Sequence, residues 1–156
     1  MMTRKLDAAI AEALDREVTW QRKVRTGGKR GKPAYTYYAC SPDDKFAQLF
    51  YAGTEVEVPK FHKDGNAMLE LIAEMHSRGW QFSAHYIAGD KVYIARFYPE
   101  GWPDDCDWPY SERSQSRKHA DILPKAVALA AYKALTGKEW QDDYTESRRR
   151  KDNAGD

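Results

Sequence analysis

Polar and apolar positions along this chain alternate in some stretches and recur every three or four residues in others, which predicts a mixed α and β fold. After Thr3, a suitable N-cap, Leu6, Ile10, Ala13 and Leu14 return at helical spacing, so a helix is expected to end near Glu17. Val18 to Val24 alternates as a half-buried strand. Ala34 to Ala39 (AYTYYA) offers it a β-favouring partner across the loop TGGKRGKP. Ser41-Pro42-Asp43-Asp44 carries the cap, first-turn proline and early acids of a helix start, with Phe46, Leu49 and Phe50 as the apolar face. Val56 to Phe61, interrupted by Pro59, reads as extended.

Asp64 caps a helix running to about Arg78, with Met68, Leu71, Ile72 and Met75 as its stripe and Gly79 as a left-handed stop. Trp80 to Tyr86 and Lys91 to Phe97 alternate on either side of Gly89-Asp90 and are expected to pair as an antiparallel hairpin at the centre of the sheet. Pro124 opens a last helix whose small-residue face is Val127, Ala130, Ala131, Ala134 and Leu135, and Gly137 ends it. The expected architecture is an α/β (α+β) sandwich over residues 1–140, with helices on both faces of a small, mainly antiparallel four-stranded sheet. Residues 141–156, with Arg148, Arg149, Arg150 and Lys151, read as a polar, disordered tail.

Length and cysteine usage narrow the setting. A chain of 156 residues suits one domain that needs no disulfide scaffold. Cys40 and Cys106 have no metal or redox spacing, so two free thiols in a reduced compartment are the simplest reading, with a disulfide between them left open. The N-terminus, MMTRKLDAAIAEALDRE, lacks the apolar core of a signal peptide, and no later stretch reaches the length of a membrane span. The expectation is a cytoplasmic protein with no membrane partner.

A net charge of +1 conceals segregation. Arg22, Lys23, Arg25, Lys29, Arg30 and Lys32 form a run without an anion, whereas Glu100 to Glu112 carries five carboxylates. The glycines and lysines of residues 27–33 invite a phosphate-loop reading, but Thr26 and Pro33 stand where that motif needs Gly and Ser or Thr, and a strand follows instead of a helix. Asp104, Asp105, Cys106 and Asp107 are too closely spaced to converge on one ion, so no metal and no cofactor are expected. His62, His76, His85 and His119 are scattered, and no G-x-S-x-G elbow or local cysteine signature accompanies them. Binding without catalysis is the expectation.

LDAAIAEALDREVTW, VPKFHKDGNAMLELIAEMHSRGWQF, YIARF and ADILPKAVALAAYKALTG together resemble the phage ABA-sandwich family, small bacteriophage and prophage proteins with helices on both faces of a central sheet. The resemblance covers about half of the chain and rests on fold signatures. His62-Lys63 departs from the family's Ser/Thr cap, and two segments, near 40–57 and 99–117, read as insertions on the outside. The family's members are largely of unknown activity, so what the resemblance implies is a phage origin.

Two function classes follow. In the first, a phage-encoded protein engages a host bacterial protein, as an inhibitor of a defence complex such as a CRISPR effector, through Trp102, Asp104, Asp105, Asp107, Trp108 and Tyr110, where aromatic anchors stand among acids. In the second, Arg22, Lys23, Arg25, Lys29, Arg30, Lys32, Tyr35 and Tyr37 bind a nucleotide second messenger or single-stranded nucleic acid, with cations on phosphates and tyrosines under bases. A homodimer through exposed aromatics is compatible with both.

Overall fold

The computed structural model describes residues 3–100 and 122–141. Its elements in chain order are α1 (Thr3–Ala13), β1 (Val18–Lys29), β2 (Lys32–Ala39), β3 (Gln48–Tyr51), α2 (Gly65–Ser77), β4 (Trp80–Ile87), β5 (Val92–Pro99) and α3 (Leu123–Thr136). The α+β class is as expected, but the single four-stranded sheet is not found. The strands divide into an antiparallel sheet of order β2-β1-β3 and a separate antiparallel pair β4-β5. The hairpin from Trp80 to Phe97 is therefore a sheet of its own and does not form the centre of a larger one.

The reason lies in what each strand can bury. β5 places Ile94, Ala95, Phe97 and Tyr98 out of solvent on both faces, and α3 lies against it. α3 is itself buried without interruption from Ala126 to Ala131, also meeting α1 and α2, so a helix apolar on every side occupies the middle of the domain. Leu6 and Ile10 of α1 and Leu71 and Met75 of α2 join the same core cluster, as do Leu49, Val58 and Phe97. Every element contributes to that cluster or packs against it except β2.

Local signals explain most element ends. Asp64 caps α2 by accepting from the Asn66 amide at 3.0 Å, and Gly79 and Gly137 take φ of +90° and +72° at the expected stops. Helix α1 ends at Ala13, short of the expected Glu17, because Asp15 turns left-handed at φ +65° and the Arg78 side chain donates to the Leu14 carbonyl at 3.0 Å.

Two further expectations are corrected. The helix expected from Ser41 is a single turn, with the Asp44 amide bonded to the Ser41 carbonyl at 3.0 Å, followed by β3. Leu49 pairs with Trp20 of β1, and the Val58 amide closes the other side of β3 on the Leu49 carbonyl at 3.0 Å. Pairing on both edges outweighs the weak helical signal, and it leaves Leu49 fully buried inside a segment expected to sit on the outside. The expected loop 26–33 is mostly ladder: after a bulge between Arg25 and Gly27, β1 and β2 stay paired as far as Lys29 and Lys32, and Arg30 and Gly31 make the turn.

Gly28 is required there. At φ +97° a Cβ would overlap the Ala34 nitrogen and the Lys32 carbonyl oxygen. Gly28→Ala is expected to open the end of the hairpin, seen as faster amide exchange at residues 27–34 with the global melting temperature nearly unchanged, because no core residue lies in that stretch.

Candidate nucleic-acid interface

Pairing between β1 and β3 stops at Gln21 and Gln48, so from Arg22 onward β2 is the one strand paired with β1 among the described residues. The remaining residues of β1, 22–29, extend about 25 Å at the rise of a strand. This two-stranded arm is exposed over all eight residues of β2. A lone ribbon of this kind gains little from folding, and its tyrosines stay wet, with Tyr35, Tyr37 and Tyr38 at 49, 41 and 53% exposure.

All eight residues proposed from sequence for nucleotide or nucleic-acid binding lie on the arm. Alternation places Lys23, Arg25, Tyr35 and Tyr37 on one face, where Arg25 opposes Tyr35, Lys23 opposes Tyr37, and the Lys23 ammonium sits 4.3 Å from the Tyr35 ring centre. Tyr37 packs edge-on against Phe50 at 5.4 Å, which steadies its ring at the base of the arm. Tyr35 and Tyr37 are two residues apart on one strand, about 7 Å, leaving room for a base on each. Across the end of the arm Lys29 and Lys32 are direct cross-strand partners. Like charges so placed repel, and an anion between them relieves the repulsion.

The arm's cations are nearly unneutralised. Arg22 approaches Asp44 at 3.6 Å, while Lys23, Arg25, Lys29, Arg30 and Lys32 take part in none of the ion pairs among the described residues. No family model, curated protein or solved structure matches the chain. The functional reading therefore stands on this geometry.

At the foot of the arm Arg22 lies 5.2 Å from the Phe46 ring centre, and an open depression of about 460 Å³ is lined by Arg22, Lys23, Phe46, Ala47 and Gln48. Phe46, expected on the apolar face of a helix, is 59% exposed instead and stands beside a cation at the foot of the arm. Tyr38, on the opposite face from Tyr35 and Tyr37, belongs to the arm as well.

The other candidate surface, Trp102, Asp104, Asp105, Asp107, Trp108 and Tyr110, lies outside the described residues, as do Cys106 and His119. Among the described residues no three His, Cys, Asp or Glu side chains gather as a metal site, and no helix is long and apolar enough to cross a membrane.

His62 has a different role from any considered in sequence. Its ring Nδ1 lies 2.7 Å from Oδ2 of Asp7, and both residues are buried. A carboxylate orienting an imidazole is half of a hydrolytic triad, but among the described residues no hydroxyl or thiol bonds this ring. The pair holds helix α1 to the segment before α2.

Cys40, at the end of β2, has its thiol pKa raised by burial and then by Asp44, opposed by Arg22. In a Cys106→Ser background this thiol should react with a disulfide reagent more slowly at pH 8 than free cysteine, and Asp44→Asn should speed the reaction; equal rates would remove Asp44 as a cause.

Proposed function

We propose that this protein binds single-stranded nucleic acid, without catalysis, through the β1–β2 arm. The observation that carries the reading is an exposed ribbon whose β2 strand stays outside the core cluster, yet which presents five cations with no ion-pair partner among the described residues next to three exposed tyrosines. Cations on β1 and around the turn, with ring faces along β2, suit a backbone running beside stacked bases, a mode indifferent to sequence. The depression at the foot of the arm is open, which favours a polymer over a small nucleotide messenger, since small-ligand sites enclose most of their ligand.

The resemblance to the phage ABA-sandwich family supports placing this activity in a bacterial host cell. Engagement of a host protein through Trp102 to Tyr110 rests on residues outside the described ones and draws no support from the geometry.

The test is fluorescence anisotropy with a labelled oligothymidine of about 20 nucleotides, long enough to cover one site, and a duplex of equal length. Binding to the single strand at about 50 mM salt is expected, weakening about 250-fold by 200 mM if six phosphates are neutralised, a slope near −4. Absence of binding at low salt, or binding that ignores salt, would overturn the reading.

A further inference from the structure

Among the described residues the arm has two unpaired edges, and they differ in kind. Beyond Gln21 the outer edge of β1 bears Arg22, Lys23, Arg25 and Lys29, and charge along an edge discourages the addition of another strand. The outer edge of β2 has no such guard. From Ala34 to Ala39 it reads AYTYYA, with no charge, proline or glycine, every residue is exposed, and among the described residues β2 pairs with β1 alone. We propose that β2 is a dimer interface, joining antiparallel to β2 of a second copy about a twofold axis at Tyr37. This does not depend on the nucleic-acid reading, since pairing through the edge leaves both faces of the arm open.

The register follows from hydrogen-bond parity. The Cys40 amide donates to the Trp20 carbonyl at 3.0 Å. In an antiparallel ladder the backbone groups of Cys40, Tyr38 and Thr36 then point to β1, and those of Ala39, Tyr37 and Tyr35 point outward. An axis at Tyr37 pairs Tyr37 with itself and Tyr35 with Ala39 on either side, so every outward N–H and C=O from 35 to 39 finds a partner. Pro33, the next outward position, has no N–H and ends the ladder.

Charge favours the same arrangement. Antiparallel pairing brings the cationic turn, Arg30 to Lys32, of one copy beside the Ser41 to Asp44 turn of the other. The Asp43 side chain there is 77% exposed although it meets Lys5 at 2.8 Å. A parallel arrangement would set two cationic turns side by side. An isologous contact of this type closes on itself and gives a dimer, not a fibre.

Sedimentation velocity on nuclease-treated protein is expected to show a species of twice the 18.0 kDa chain mass. Tyr37→Pro should weaken that dimer about 100-fold or more while circular dichroism stays the same, because the deleted N–H is one β1 does not use. In a Cys40→Ser, Cys106→Ser background, Tyr37→Cys should form an intermolecular disulfide on mild oxidation, as paired Cα atoms at such a position lie about 5.5 Å apart. Thr36→Cys, one residue off the axis, should cross-link at least about ten times more slowly. A mass that stays at one chain up to about 1 mM, a dimer that survives Tyr37→Pro, or equal cross-linking at residue 36 would each overturn the proposal.

Discussion

Replacing Asp7 with alanine is expected to lower the free energy of unfolding by about 3–5 kcal/mol, the range for removing one partner from a buried charged pair. Asp7 is fully buried on α1. It accepts from the Arg4 guanidinium at 2.8 Å, from the His62 backbone amide at 3.2 Å and from the His62 ring at 2.7 Å. Because a carboxylate only accepts, the ring proton is assigned to Nδ1. Arg4 also donates to the Val58 and Pro59 carbonyls at 2.8 and 3.2 Å, so one cluster ties the first helix to a segment more than fifty residues away. Alanine would leave a ring N–H and a backbone N–H unpaired in the core and take from Arg4 its closest anion. Asp7→Asn, which keeps the shape and one acceptor, is expected to cost less. Urea unfolding with an unchanged m-value would measure both. A loss below about 1 kcal/mol for alanine would mean that Glu57, 3.5 Å from Arg4, takes over the role.

Nothing in the sequence near Asp7 or His62 announces their contact. Asp7 falls on a helix whose apolar stripe, Leu6 and Ile10, is legible by spacing, and a charged residue beside that stripe reads as a solvated position. His62 showed only as a departure from a Ser/Thr cap; Asp64, two residues later, supplies the cap, which frees His62 to turn inward. Signals read correctly were those confined to one element: Asp64 and Gly79 around α2, Pro124 and Gly137 around α3, and the alternation of β4 and β5. The start signal at Ser41 to Asp44 was real too, since the Asp44 carboxylate accepts from the Phe46 amide at 2.9 Å. It opens one turn and no more, because the residues after it gain more by pairing with β1. How strands divide between two sheets depends on where α3 lies, which periodicity does not encode. The arm was half legible: its cations and tyrosines stood out by composition, while Gly27 and Gly28 suggested a loose loop where the ladder runs on to Lys29 and Lys32.

The length of that ladder sets the size of the largest functional effect. Arg25, Lys29 and Arg30 project from the outer half of the arm, none with an ion-pair partner among the described residues and none in the core cluster. Changing all three to glutamate should lower affinity for the single strand about 1,000-fold or more, taking about 1.5 kcal/mol for each lost charge-assisted contact, and should reduce the salt slope from about −4 to about −2. Thermal stability should stay within about 1 °C, as these are surface changes on a ribbon outside the core. Tyr35→Ala tests the other half of the mechanism. It should cost about 1–3 kcal/mol of binding and leave the salt slope unchanged, because a stacked base contributes without releasing counterions. If charge reversal weakened binding but Tyr35→Ala and Tyr37→Ala did not, the arm would hold phosphates alone, and duplex and single strand would bind alike. If affinity survived the three glutamates, the cations of the arm would be bystanders, and the acidic aromatic segment around Trp102 and Trp108 would become the surface to test.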